Sequence, residues 1–229
     1  MPGFILHLTA AQMLLEMLPK QCVLSREKKE QNDFLAGTLL PDAPKDKRIS
    51  HFRNSNCFGK ILEYPDLELF LEKYHSMIQN SLCMGYYFHL YVDQRFFQEY
   101  LPKVVTYLDK DGRPSMEKKD VVQVKIRKSG KTPGIMEFCS EDYYYGDYTK
   151  MNTYLVKRYH IPMELDTHLV NPGIDEVDVG DLSMILEKLR GYLDVPEEQV
   201  HEVNVFDVED LLEFLQRITK EFIEKNFSL

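Results

Sequence analysis

The sequence has no tryptophan, no Cys-x-x-Cys pair and no apolar run that approaches the roughly 18 residues of a transmembrane span. Its four cysteines are dispersed, which is typical of reduced thiols in a cytosolic protein and unlike a secreted disulfide framework. The apolar segment at residues 4–11 has no basic stretch before it, so it does not predict a signal peptide. Together these absences predict a cytoplasmic protein without a membrane span.

The chain also lacks motifs that define several large enzyme classes. A glycine-rich phosphate loop and a Gly-x-Ser-x-Gly motif are both missing, which argues against P-loop nucleotide chemistry and serine hydrolysis. The absence of an adjacent His-Asp pair counts against another common all-α phosphohydrolase pattern. The 37 acidic residues exceed the 28 basic residues, and the net charge of −9 argues against a bulk polyanionic partner. We therefore expect no nucleic acid partner.

Helical periodicity dominates what is present. The 229 residues suit a single domain, residues 1–229, and most of its apolar residues recur at helical spacing. The predicted helices cover residues 4–18, 27–40, 65–78, 81–108, 140–159, 179–193 and 207–226. Residues 121–126 have the composition of a strand, and residues 135–139 can return as its hairpin partner. The expected fold is all-α, with a small β-hairpin insertion at residues 109–140.

The most informative local feature is a histidine and an aspartate inside a strongly apolar helix. His89 and Asp93 are four residues apart, so both side chains lie on one helix face, where they can bind the same ion. A buried carboxylate needs such a partner, because leaving it unpaired costs several kcal/mol. The alternative is a hydrogen bond between the two side chains on the helix surface.

Three further residues are weaker candidates when each is taken alone. His7 lies between apolar helix positions, where a hydrogen-bonded core histidine is the usual outcome. Asp42 follows Pro41 just after a helix and fits an ordinary turn, while His51 lies in a loop where histidine is common. The order of these residues along the chain is more specific than any one of them.

The motifs that carry this order are Ala36-Gly37 followed by Pro41-Asp42, then Ser50-His51-Phe52, and then Gly-x-x-x-His-x-x-x-Asp from Gly85 to Asp93. Over about residues 4–100 the sequence resembles the bacterial zinc-dependent phospholipase C family, whose fold is shared by the single-strand-specific zinc nucleases. The resemblance implies an all-α fold and metal-assisted hydrolysis of a small-molecule or lipid phosphoester.

The resemblance also implies a ligand set. By motif position, Asp42, His51, His89 and Asp93 would bind one Zn²⁺, and His7 would help to bind a second, with Asp93 as the bridge. Other divalent transition metals accept the same ligands. A bound ion would lower the pKa of water and so produce the nucleophile. Asp42 would in addition accept a proton from that water.

The chain departs from the family in ways that leave other functions open. It has neither a tryptophan at its start nor the later histidines that complete a third metal site in the family; Glu99 and Asp147 are the carboxylates that offer substitutes. The tyrosines around residues 143–148 fit either an active-site mouth or ordinary packing. One alternative is therefore a non-catalytic, metal-stabilised binding or scaffold protein of the same fold. Another is a helical protein that binds no metal.

Overall fold

The fold is built from α-helices, as the periodicity predicts, in a computed structural model that describes residues 3–44 and 46–227. The α-helices are α1 (Phe4–Met17), α2 (Val23–Arg26), α3 (Lys28–Leu39), α4 (Lys47–Ser50), α5 (Leu67–Tyr74), α6 (Ser81–Arg95), α7 (Leu101–Val104), α8 (Ile135–Phe138), α9 (Tyr144–Arg158), α10 (Leu182–Gly191) and α11 (Val208–Asn226). Short 3-10 turns connect some of them. The predicted mostly helical fold class is confirmed.

Polar side chains determine where several helices begin. Asp66 accepts hydrogen bonds from two backbone N–H groups of the first turn of α5, at 3.1 and 3.2 Å. Asn80 does the same for α6, at 3.0 and 3.2 Å, and Asp207 caps α11 at 3.2 Å. These caps satisfy N–H groups that have no partner within the helix. The sequence predicts that this helix begins at Pro65. It begins at Leu67 instead, because Asp66 caps it.

The β-structure is one antiparallel pair, and its first strand lies where the sequence predicts helix. Strand β1 (Val105–Leu108) pairs with β2 (Gln123–Ile126), with Val105 opposite Ile126. The predicted helix over 81–108 is wrong in its last part, because Val105 and Thr106 are β-branched and follow a helix that begins with Leu101 and Pro102. The small hairpin itself is confirmed.

The expected partner strand at residues 135–139 is also wrong. Ile135–Phe138 forms the short helix α8, and Phe138 packs into the core with its ring centroid 6.4 Å from that of Tyr107 in β1. A four-residue stretch has too little sequence to show its periodicity, so local pattern cannot separate strand from helix here.

Helix α6 occupies the centre of the molecule. It contacts α1, α3, α5 and α11, and every residue from Ser81 to Asp93 is buried. Because the helix is covered on all sides, the polar residues on it must find their partners inside the protein. None of the helices in residues 3–44 and 46–227 has both the length and the apolar character that a membrane crossing requires.

Two glycines let α3 and α6 approach closely. A Cβ at Gly37 would lie 2.1 Å from the carbonyl oxygen of Leu82, and a Cβ at Gly85 would lie 2.0 Å from that of Phe34. Only glycine fits at such contacts, because backbone atoms cannot move aside as a side chain can. The close crossing brings the C-terminal end of α3 against the face of α6 that carries His89.

Candidate metal centre

The five predicted ligands converge from four segments of the chain. His7 comes from α1, Asp42 from the 3-10 turn after α3, His51 from the residue after α4, and His89 and Asp93 from α6. The ligand atoms of His7, His89 and Asp93 lie within 4.8 Å of one another, and so do those of Asp42, His51 and His89. The structure therefore brings all five residues into one cluster, and His89 belongs to both halves.

Hydrogen bonds at Nδ1 of His89 and at Nδ1 of His51 fix which ring nitrogen carries the proton. His89 Nδ1 is 2.8 Å from the carbonyl oxygen of Thr38, which can only accept, so Nδ1 carries the proton. Ser50 Oγ donates to the Pro41 carbonyl at 2.8 Å and lies 3.1 Å from His51 Nδ1, so it accepts the Nδ1 proton. In their neutral forms both rings therefore present an unprotonated Nε2.

These two nitrogens face each other among carboxylate oxygens. His51 Nε2 lies 3.2 Å from His89 Nε2, 3.5 Å from Asp42 Oδ1 and 3.6 Å from Asp93 Oδ2. All four atoms are electron-pair donors, and in a buried site their mutual repulsion is strong. A cation placed among the four atoms would be attracted to each of them, and this attraction would outweigh their mutual repulsion. Mixed imidazole and carboxylate donors are a common environment for zinc and similar ions.

We call His7 and Asp93 the inner group, and Asp42 and His51 the outer group. In the inner group, His7 Nε2 lies 3.4 Å from Asp93 Oδ1 without forming a hydrogen bond. Both ring nitrogens and both carboxylate oxygens are buried without a hydrogen-bond partner among the described residues. The rings of His7 and His89 stack at 3.7 Å with an interplanar angle of 12°. The inner group thus also fits a cation.

The protonation states suit metal binding. Burial, reinforced by His7, lowers the pKa of His89 to about 3, so the ring is neutral at physiological pH. Burial alone would raise the pKa of both aspartates. The pKa of Asp93 is nevertheless held below its ordinary value by His7, His89 and His51, and that of Asp42 by His51, His89 and Lys47. Neutral imidazole and ionised carboxylate are the forms that ligate a metal.

A strained residue helps to aim His51. Phe52 has φ of 46°, a left-handed conformation that a bulky side chain rarely adopts. Its buried ring packs edge to face on Phe70 and Tyr86, with centroids 5.2 and 6.3 Å away. The Tyr86 hydroxyl donates to the carbonyl of Ser50. The sharp turn after His51 is therefore supported on both sides, and the imidazole is directed at α6.

A pocket of about 370 Å³ opens beside the cluster. Of the five residues, Asp42 lines this pocket, whereas the other four are fully buried. The remaining lining residues are Gly3, Phe4, Ile5, Lys47, Glu141, Tyr145, Tyr148, Thr149, Asn152 and Tyr192. The pocket is therefore lined by polar and aromatic side chains, and it reaches the outer group at Asp42.

Lys47 is a pocket residue that nothing in the sequence singles out. Its Nζ lies 2.6 Å from Asp42 Oδ1 and lines the pocket. A lysine four residues before a histidine carries no distinctive signal in a loop rich in lysine. For the tyrosines of α9, the sequence leaves an active-site mouth and ordinary packing equally open. The structure buries the hydroxyls of Tyr144 and Tyr148 without a hydrogen-bond partner among the described residues, and their spacing of four was the available clue.

The two substitute carboxylates have other partners. Asp147 accepts backbone hydrogen bonds from Asn204, Val205 and Phe206 at 2.8, 2.6 and 3.1 Å, so it anchors the segment before α11. Glu99 forms ion pairs with Arg95 and, at 2.9 Å, with Arg217. Each carboxylate is thus explained by its role in the fold.

Comparisons with protein-family models, with curated proteins and with solved structures returned no match. The resemblance to the zinc-dependent phospholipase C family therefore stays a prediction from the motifs. The residues of the cluster fit a divalent transition metal by donor type, burial and charge.

Proposed function

We propose that the protein is a metal-dependent phosphoester hydrolase of the zinc-dependent phospholipase C type. The observation that supports this proposal best is a set of four electron-pair donors: His51 Nε2 and three atoms within 3.6 Å of it, which come from two other segments of the chain. Asp42, His51, His89 and Asp93 would bind one Zn²⁺, and His7 with Asp93 a second. A bound ion of this kind supplies a water of lowered pKa as the nucleophile.

The chain's own residues have distinct roles in this proposal. Asp42 reaches the pocket and is ionised, so it can orient the attacking water and accept a proton from it. Lys47 offers a positive charge to a phosphoryl group in the pocket. The aromatic walls formed by Phe4, Tyr145 and Tyr192 exclude water and contact the organic part of the substrate. We expect a small-molecule or lipid phosphoester and a cytoplasmic location.

The alternative is a non-catalytic binding or scaffold protein that a metal stabilises. Two observations favour it. Four of the five residues are completely buried, and closed sites are typical of structural metals. Lys47 is also paired with the carboxylate of Asp42, the one residue of the five that lines the pocket. Under this alternative the metal raises the free energy of unfolding by RT ln(1 + [L]/Kd), about 2.7 kcal/mol at a hundredfold excess over Kd.

The first test is elemental analysis of untagged protein and its His89→Ala variant, with turnover of a chromogenic phosphodiester measured in parallel. We expect one or two equivalents of a transition metal and measurable turnover, both lost in the variant. His75→Ala is the matched control, because His75 is exposed and lies outside the cluster. Asp93→Asn preserves shape and serves as a second variant if His89→Ala does not fold.

The outcomes separate the two functions. Metal without turnover of phosphomonoesters, phosphodiesters or phospholipid vesicles would favour the metal-stabilised scaffold. Wild-type protein that contains no metal, and whose melting temperature zinc does not raise, would contradict both.

A further inference from the structure

A lysine ammonium contacts the carboxylate oxygen of the outer group that faces the imidazole. Lys47 Nζ lies 2.6 Å from Asp42 Oδ1, and the same oxygen lies 3.5 Å from His51 Nε2. The Asp42 side chain is only 5% exposed, so water can do little to stabilise its charge. Lys47 therefore neutralises the oxygen that would also ligate a metal ion at the outer group.

Asp42 cannot serve two cations equally well. Positive charges that share one carboxylate repel each other, and the repulsion is strong where burial lowers the effective dielectric constant. When Asp42 ligates a metal ion, the Lys47 ammonium therefore loses much of its attraction to this site. The same ion pair also holds Asp42 in place, so competition and orientation are the two influences that a Lys47 variant can separate.

The Lys47 side chain has room to leave Asp42 while its backbone stays in place. The side chain is 40% exposed, its ammonium ends a flexible four-carbon chain, and it lines the pocket of about 370 Å³. The backbone is held within α4, because the Lys47 carbonyl accepts a hydrogen bond from the His51 N–H at 3.1 Å. Asp46 caps the same helix by accepting from the Arg48 N–H, also at 3.1 Å. Rotation of the side chain alone can therefore carry the ammonium from Asp42 into the pocket.

An anion in the pocket is the partner that suits the released ammonium. Asp42 and Glu141 are the carboxylates among the described lining residues, and Glu141 is exposed, where water weakens an ion pair. A phosphoryl group offers charged oxygens that accept strong hydrogen bonds from lysine. We propose that Lys47 alternates between two anions: it pairs with Asp42, leaves this carboxylate when Asp42 ligates a metal ion, and then donates to a phosphoryl oxygen of the substrate. This inference rests on the proposed function and makes zinc binding and phosphate binding cooperative.

The test compares Lys47→Met with wild type in two titrations of the full-length protein. Zinc affinity is measured by competition with a chromogenic chelator, and phosphate affinity by calorimetry of the zinc-loaded protein with inorganic phosphate. The inference predicts changes of opposite sign. Zinc should bind about fivefold more tightly, because a competing ion pair is lost. Phosphate should bind about tenfold more weakly, because a hydrogen bond between charged groups is lost.

Arg48→Met is the matched control, because it removes the same charge from the next residue of α4. The Arg48 guanidinium lies 3.9 Å from the Glu63 carboxylate and 5.8 Å from the centroid of the Phe58 ring. Both affinities should therefore stay within about twofold of wild type, since salt screens exposed charges that make no direct contact. A gain in zinc affinity as large as that of Lys47→Met would overturn the inference, because bulk charge would then explain the effect.

The other outcomes separate this inference from the proposed hydrolase. Wild-type zinc affinity in Lys47→Met would show that Lys47 does not compete for Asp42, and weaker zinc binding would show that it orients Asp42. Either result overturns the inference and leaves the metal site standing. Wild-type phosphate affinity in Lys47→Met would also overturn it, because the ammonium would then not contact the phosphoryl group. Wild-type protein that binds no zinc would contradict the inference and the proposed function together.

Discussion

The outer and inner groups each pair one histidine with one aspartate, yet the protein treats them differently. In the outer group, His51 Nδ1 is bonded to Ser50 and Asp42 is bonded to Lys47. In the inner group, all four polar atoms of His7 and Asp93 lack a hydrogen-bond partner among the described residues. The outer group is thus oriented by the chain itself, whereas the inner group depends on a ligand for its electrostatic balance. We infer that the outer group is the tighter metal site.

Among the variants, Gly85→Ala should have the largest effect on stability and on zinc binding. The new Cβ would lie 2.0 Å from the carbonyl oxygen of Phe34, so α3 and α6 must separate. Overpacking of this kind costs about 3 kcal/mol, which lowers the melting temperature by about 10 °C in a chain of this size. Separation of the helices also removes the Thr38 carbonyl from His89, so zinc affinity should fall. Thermal unfolding and a zinc titration measure both effects.

The control for this prediction is Gly191→Ala. A Cβ at Gly191 has open space around it, and the residue ends α10. Alanine is the better helix former, so this variant should be neutral or slightly more stable. A Gly85→Ala protein as stable as wild type would mean that the close contact between α3 and α6 is not needed to position the metal ligands.

A comparison of His51→Gln with His7→Gln sharpens the distinction directly. Loss of His51 should weaken the tighter site about a hundredfold, because a ligand oriented by hydrogen bonds is removed. Loss of His7 should reduce the bound metal from two equivalents to one and leave the tighter site within about threefold of wild type. Competition with a chromogenic chelator measures both affinities. Equal losses in the two variants would show that the groups form one inseparable site.

The smallest expected effect concerns acid stability of the metal-free protein. The pKa of His89 is about 3 in the folded protein and near 6.5 when unfolded, so the unfolded chain takes up a proton first as pH falls. The stabilisation from neutral His89 is fully present above pH 6.5 and is lost as pH falls toward 3. At pH 5.5 the loss is about 1.4 kcal/mol, or about 4 °C in melting temperature.

Melting curves between pH 7.5 and 5.5, with chelator present, check this prediction. His89→Gln removes the titrating ring and should flatten the dependence. A wild-type melting temperature that does not change over this range would contradict the buried, neutral state of His89.

Much of this protein was predictable from local sequence. The i, i+4 spacing of His89 and Asp93 places them on one face of any α-helix, and Pro41 stops α3 just before Asp42. Helix α11 and its cap at Asp207 follow from apolar periodicity and a capping residue. The strand β1 was missed, because a short β-branched run directly after a helical pattern has no period of its own.

What the sequence determined by itself is therefore the helices and the face on which each polar residue lies, since these depend on neighbours within a few positions. The tertiary structure alone decided that His7 stacks on His89 and that the Nε2 atoms of His51 and His89 meet. These contacts join residues far apart in the chain, and the Thr38 carbonyl reaches His89 because Gly37 and Gly85 let α3 and α6 cross at backbone contact. Spacing along a chain contains no such distances, so only packing could establish them.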